Sequence, residues 1–416
     1  MKALPHDDPQ VADLIQKETQ RIEETLDLIA AENHAPPSIM EVLGSVFNTK
    51  TIEGYPGRRY HAGCMYADDV ERLAISRARA LFTAEHANVQ PHSGTSANLA
   101  VYFSVLNPGD RVLSMTLAHG GHLSHGHPAS IAGKCFRVTH YGVNRDTGRI
   151  DYDKVAKIAE NFQPKMMVAG ASSYPRCIDY EKMAGIAKSV SAYLMVDMAH
   201  IGGLVAAKII PSPVPVADFV TFTCYKTMMG GRGGIILCKE KFAKAVDRAL
   251  FPGCQGTSAV NSIAAKAVIF KLAMEDEFVR IQAKTVENAA MLATLLAEKD
   301  YAIITGGTDT HQVIVDLRAG GIDGGTAEAA LEKAGIILNK NVIPGDEETP
   351  GRIGGIRIGT AGATTRGMGV DEMPIIADLL DAAITQHEDS EALRAVKEKV
   401  DLLCKRIPVY ERKNYR

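Results

Sequence analysis

The chain has no long hydrophobic run. Nowhere does an uncharged apolar stretch approach the roughly 18–20 residues that cross a bilayer, and the opening M-K-A-L-P-H-D-D lacks the apolar centre of a secretory signal, so no targeting segment is expected. Charge of one sign is not in excess either. Lys and Arg number 46 against 49 Asp and Glu, a formal net charge of −3, which disfavours nucleic acid or an anionic membrane as the main partner and favours small molecules. Paired cysteines are also missing: the seven, Cys64, Cys135, Cys177, Cys224, Cys238, Cys254 and Cys404, form no C-x-x-C. Their scatter argues against a disulfide framework and a zinc site and fits a reducing, cytoplasmic setting.

What is present is length and apolar content. With 416 residues, 46% of them hydrophobic, the chain can build two domains or one large α/β unit. Helical spacing runs from Asp69 to Phe82. Short apolar runs then alternate with helices, at residues 112–115, 166–169, 193–196, 219–223 and 234–237, the rhythm of a parallel or mostly parallel sheet. Near residue 280 the rhythm changes to a long amphipathic helix at 281–298, strands at 302–304 and 313–317, and a helix opened by Thr326 and stopped by Gly335, as suits a smaller α+β domain. These patterns divide the chain into an N-terminal arm (1–45), a large domain (46–280) and a small C-terminal domain (281–416).

Four segments carry chemistry. In V-T-F-T-C-Y-K-T-M-M-G-G-R-G-G, Lys226 ends an apolar strand just before a glycine-rich turn; alone, it reads more readily as a solvated strand-end lysine. The run A-Y-L-M-V-D-M-A-H brings Asp197 and His200 to the carboxyl edge of a buried strand, where open α/β sheets bind ligands. A carboxylate there can face a pyridinium nitrogen or simply cap the next helix. Ser93, Gly94 and Thr95 in Q-P-H-S-G-T-S-A-N lie at a helix start that suits a phosphate, and an ordinary N-cap explains the same letters as well. In L-A-H-G-G-H-L-S-H-G three histidines fall within seven residues. With no cysteine or carboxylate beside them, a metal is a poor reading, and His122, after G-G, suits stacking on a cofactor ring.

In order, these segments resemble the serine hydroxymethyltransferase family from about Ile29 to Tyr410. The resemblance rests on A-A-E-N-H, E-G-Y-P-G-R-R-Y, A-N-V-Q-P-H-S-G, H-G-G-H-L-S-H-G, D-M-A-H-I-G-G-L-V-A-A, G-G-T-D-T-H, L-N-K-N-V-I-P-G-D and I-R-I-G-T. It implies the pyridoxal-phosphate transferase fold of the aspartate aminotransferase type (fold type I), with tetrahydrofolate as co-substrate. It also implies a homodimer at minimum, with active sites lined by both subunits and a tetramer left open. Residue by residue, Lys226 would hold the cofactor as a Schiff base, Asp197 would pair with the pyridinium, and His122 would stack on the ring. Ser93, Gly94 and Thr95 would cradle the phosphate with Gly256 of the neighbouring subunit, and Ser172 and His200 would serve the phenolic oxygen side. Arg357 would take the amino acid's carboxylate in a two-pronged bond. Glu53 would serve folate and the proton transfers, and Tyr60, Leu117, Leu123 and Asn341 would line the folate slot.

Four positions depart from the family pattern. Ala31 stands for a serine, Thr51 for a tyrosine two before the glutamate, His61 for the second tyrosine of R-Y-Y, and Tyr225, preceded by Cys224, for the histidine before the lysine. Losing the serine hydroxyl at 31 costs about 0.5–1.5 kcal/mol of substrate binding. Losing the ring at 51 makes space beside the α-carbon, which suits an α-methyl group. α-Methylserine is therefore the first expected substrate, yielding D-alanine, and serine, yielding glycine, the second. A folate-independent aldolase and a catalytically silent regulator fit less well, because the folate residues and the lysine, aspartate and arginine all persist.

Overall fold

The computed structural model describes residues 3–346 and 351–410. Seven strands form the main sheet: β1 (His86–Asn88), β2 (Arg111–Met115), β3 (Arg137–Tyr141), β4 (Met166–Ala169), β5 (Tyr193–Asp197), β6 (Phe219–Thr223) and β7 (Gly234–Cys238), in the order β1-β7-β6-β5-β4-β2-β3. Strands β3, β2, β4, β5 and β6 run parallel. Strand β7 is antiparallel to both neighbours, β1 and β6. The period-2 geometry of a strand explains why these runs are continuously apolar. On β5, Leu194 and Val196 enter one core and Met195 the other; on β6, Val220 and Phe222 enter the first and Phe219 the second. The sheet is thus buried on both faces.

A second core lies around a smaller antiparallel sheet, β8 (Ala302–Ile303), β9 (Gln312–Asp316), β10 (Asn339–Asn341) and β11 (Gly355–Gly359), in the order β8-β9-β11-β10. The N-terminal segment joins it. Leu26–Asp27 pairs in parallel with Ile336–Ile337, and Leu26 and Leu28 are fully buried in that core. Among the described residues no helix is long and apolar enough to cross a membrane.

All five expected apolar runs form strands, but helix boundaries differ. Helix α1 spans Met65–Phe82, starting before Asp69, because Asp68 and Glu71 on its first turns turn inward onto Arg59 rather than continuing an apolar stripe. Helix α2 covers Gly94–Val105. Helix α3, Asp276–Glu298, begins before Ile281 with two acidic residues that favour a helix N-terminus. Its Phe278 packs into the first core and its Leu292 and Leu296 into the second. Helix α4, Gly324–Lys333, is capped by Asp323 and not by Thr326, which itself donates its backbone N–H and hydroxyl to that aspartate. Two strands of the main sheet gave no signal strong enough to expect: β1 is three residues long, and β3, Arg-Val-Thr-His-Tyr, is largely polar.

Candidate active site

The carboxyl ends of β2, β4, β5 and β6 converge on one cleft of about 440 Å3, lined by Ser93, Gly94, Thr95, Asn98, His122, His125, Ala171, Ser172, Asp197, Ala199, His200, Thr223, Tyr225 and Lys226. This is the edge at which parallel sheets bind ligands. Lys226 follows β6 and is only 7% exposed. Its carbonyl is tied to the N-terminal segment by the side chain of Asn33 at 3.0 Å. Burial, aided by the Arg357 charge and opposed by Asp197, pulls its pKa from 10.5 down to about 8. A minor but reactive share of the amine, about a tenth at pH 7, is therefore neutral and nucleophilic.

Asp197, the last residue of β5, is nearly buried. Its Oδ2 accepts from Asn98 Nδ2 at 2.8 Å and from His125 Nε2 at 2.9 Å, and its Oδ1 accepts from the backbone N–H of Ala199 at 3.0 Å. Burial works against ionisation, but the His125 hydrogen bond and the neighbouring imidazoles outweigh it and hold this carboxyl well below the usual range. The three histidines of the glycine-rich segment diverge. His119 Nδ1 accepts from the backbone of Val143, His125 meets Asp197, and His122 faces the cleft. Burial lowers the pKa of His122 to about 4, so its ring is neutral at physiological pH and free to lie flat against an aromatic ligand. Gly121 must be a glycine: a Cβ there would lie 2.2 Å from the Met115 carbonyl.

Ser93 caps α2, its hydroxyl accepting from Ser96 N at 3.1 Å. The capping reading of this residue is therefore correct, and it leaves the backbone amides of the first turn directed at the cleft, where they suit an anion. A Cβ on Gly94 would meet the Thr223 methyl at 2.8 Å, so only glycine lets β6 and α2 approach this closely. Ser172 follows β4, and its carbonyl receives Arg357 Nη1 at 2.5 Å; Arg357 Nε donates to Asn339 Oδ1 at 3.0 Å. Among the described residues neither Arg357 nor Lys226 forms an ion pair. Burial brings the Arg357 pKa down to about 10, leaving it a cation in need of an anion. His200 is buried, stacks on His311 with ring centroids 5.7 Å apart, and has an Nδ1 with no partner.

The remaining candidates assemble elsewhere. Glu53 Oε2 lies 3.2 Å from His61 Nε2, both side chains being close to half exposed, and a Cβ on Gly256 would stand 3.9 Å from Glu53 Oε1. Thr51 is exposed beside them, its neighbour Ile52 held by Thr257 Oγ1 at 2.8 Å, and Tyr60 is 74% exposed with its ring 5.8 Å from Phe251. None of these residues lines the lysine cleft of the same chain, and neither does Ala31. Leu117 and Leu123 are exposed on the turns flanking Gly120–Gly121, and Asn341 ends β10 with its amide on the Val342 carbonyl.

Sequence reasoning passed over Asn98, Ser124 and His125, and met Tyr225 only as a departure from the family pattern. An asparagine in the middle of a helix is itself a signal, since its side chain competes with the backbone and persists there when it has another partner. Tyr225 lines the cleft with the Arg232 guanidinium 4.6 Å above its ring.

This donor set fits pyridoxal phosphate. A buried, partly neutral lysine suits its aldehyde, an ionised buried carboxylate its ring nitrogen, a helix N-terminus its phosphate, and the unpartnered His200 Nδ1 marks a polar group awaiting a ligand. A family model described as serine hydroxymethyltransferase matches residues 4–380 of the 416. On a match of that extent the chain belongs to the serine hydroxymethyltransferase family, pyridoxal-phosphate-dependent one-carbon transferases that take tetrahydrofolate as co-substrate.

Proposed function

We propose that this hydroxymethyltransferase cleaves α-methylserine to D-alanine and passes the one-carbon unit to tetrahydrofolate. The observation that carries the reading is Thr51, a small exposed side chain next to Glu53 where the family pattern has a tyrosine ring. Supporting it, Ala31, His61 and Tyr225 also depart from the pattern near the substrate or the lysine. Removing a ring beside the α-carbon leaves room for a methyl group, which burial then favours.

We further propose fold type I, a cytoplasmic homodimer, and a boundary between large and small domains near residue 280. The separation of the Glu53 group from the lysine cleft within one chain supports a dimer in which Thr51, Glu53, Tyr60, His61 and Gly256 complete the partner's cleft.

Roles follow from chemistry. Pyridoxal phosphate, when bound, supplies the electron sink that makes bonds at the α-carbon breakable. Lys226 holds it and gives way to the substrate amine, Asp197 keeps the ring nitrogen protonated, and His122 covers the ring face. Arg357 takes the substrate carboxylate and so sets which α-carbon bond faces the ring. Glu53 moves the proton between the substrate hydroxyl and folate, and Tyr60, Leu117, Leu123 and Asn341 hold the pterin. Ordinary serine is the second reading, favoured by the intact set Lys226, Asp197 and Arg357. Product analysis with L-serine and α-methyl-L-serine, each with and without tetrahydrofolate, tests it: D-alanine formed only with folate supports the proposal, and glycine alone refutes it.

A further inference from the structure

Asn98 sits in the middle of α2, 1% exposed, with every polar atom engaged. Its Oδ1 accepts from Thr221 Oγ1 at 2.6 Å, and its Nδ2 donates both to Asp197 Oδ2 at 2.8 Å and to Ser124 Oγ at 2.9 Å. The opposite amide orientation would aim a carbonyl oxygen at an ionised carboxylate, so only one arrangement is possible. The rest follows by counting protons. The Ser124 backbone N–H, which can only donate, reaches His122 Nδ1 at 3.2 Å, so that nitrogen is an acceptor; the Ser124 hydroxyl, 2.7 Å from the same nitrogen and accepting from Asn98, turns its proton to it. An Nδ1 that receives two donors cannot carry a proton. The neutral His122 ring must therefore be the Nε2–H tautomer, with a fixed N–H donor and no basic nitrogen available to the cleft.

We infer that Asn98 is a positioning residue that ties the two cofactor-facing groups together, fixing with one amide both the ionised carboxylate of Asp197 and the tautomer of His122. Thr221, on β6, acts one step further back by holding the Asn98 carbonyl in the orientation that Asp197 imposes, so that the amide stays fixed on both groups. The inference rests on the proposal that Asp197 and His122 hold the cofactor, and it adds that their proton arrangement is built in before any ligand arrives. It also assigns His122 no proton-transfer role through Nδ1.

Nitrogen-15 NMR of histidine-labelled apoprotein reads the tautomer directly, and titration with pyridoxal phosphate reads the cofactor site. Wild type is expected to show His122 as Nε2–H from pH 6 to 8, and Ser124→Ala to give a mixture of tautomers. Thr221→Val should loosen the tautomer and raise the pyridoxal-phosphate Kd about tenfold, while Thr221→Ser, which keeps the hydroxyl, should match wild type. Asn98→Ala should raise that Kd by roughly ten- to a hundredfold, because a charge-assisted bond to Asp197 is lost as well. A wild-type His122 protonated on Nδ1, or a Thr221→Val protein with unchanged tautomer and Kd, overturns the inference. A wild type that takes up no pyridoxal phosphate sinks the cofactor reading instead, and the tautomer measured in the apoprotein still decides the inference.

Discussion

Arg357 Nη1 donates to the main-chain carbonyl of Ser172 at 2.5 Å, a bond from β11 of the small sheet to the loop that leaves β4 of the large one. With Nε held by Asn339, two of the guanidinium's nitrogens are fixed by the protein, and the cation is positioned without being neutralised. A carboxylate arriving at this point meets a charge already desolvated and already oriented, which is the arrangement in which ion pairing contributes most.

Arg357→Lys should therefore keep the charge and lose the positioning, since one ammonium cannot reach the Ser172 carbonyl, Asn339 and a carboxylate together. We expect KM for the amino acid to rise roughly ten- to a hundredfold, with the pyridoxal-phosphate Kd within about threefold of wild type. Steady-state kinetics beside cofactor titration check it, and an equal loss in both would show that the strand, and not the carboxylate contact, had been damaged.

Lys226 gives a prediction whose sign runs against intuition. Its folded-state pKa of about 8 lies below the ordinary 10.5, so the unfolded chain binds more protons between these values and apoprotein stability rises with pH across that window. Below pH 8 the folded protein bears the full cost of a buried ammonium. Lys226→Met should make the apoprotein more stable at pH 7, by at most about 3 kcal/mol, with the gain shrinking from pH 8 and vanishing near 10.5, while the covalent cofactor absorbance disappears. Urea unfolding of both apoproteins at pH 7 and pH 10 measures it; an equal difference at the two pH values would contradict the assignment of cause.

The sequence made legible those elements whose burial is uniform. Strands β4, β5, β6 and β7 are apolar on both faces because both are covered, and the ends of β5 and β6 located Asp197 and Lys226 without coordinates, whereas Ser172 came only from the family resemblance. It was less informative where burial is polar. The inward-facing Asp68 and Glu71 hid the start of α1, and Asn98, Ser124 and His125 form their network only because α2, the turn after Gly121 and the end of β5 meet in space. No spacing along the chain connects positions 98, 124 and 197. The split between the lysine cleft and the Glu53 group is equally invisible in one dimension, since motif order carries no information about which residues share a cavity.

Glu53 lies apart from the cofactor-facing residues of its own chain and is partly solvated, with His61 as its close polar partner. Glu53→Gln should thus leave pyridoxal-phosphate binding intact and reduce folate-dependent cleavage by about 10²–10⁴-fold, the usual worth of a general acid–base group. Parallel measurement of cofactor Kd and folate-dependent turnover tests the separation. A comparable fall in both would assign Glu53 a structural role.

Thr51 decides the substrate. Its side chain is exposed and its segment is anchored through neighbours, with Ile52 N on Thr257 Oγ1 and the Cys64 thiol on the Thr51 carbonyl at 3.7 Å, so Thr51→Tyr introduces a ring without displacing core atoms. Folding should be unaffected, and any change in kinetics then reports on the space beside the α-carbon. Burying one methyl is worth about 0.8 kcal/mol, and forcing it against a ring costs typically 1–3 kcal/mol. The substitution should accordingly shift the ratio of kcat/KM for serine over α-methylserine by roughly ten- to a few-hundred-fold in favour of serine. The ratio, measured in both proteins with saturating tetrahydrofolate, isolates discrimination from overall activity. A ratio that does not move, or a wild type that does not turn over α-methylserine, would leave serine as the substrate and the threonine without a role in selecting it.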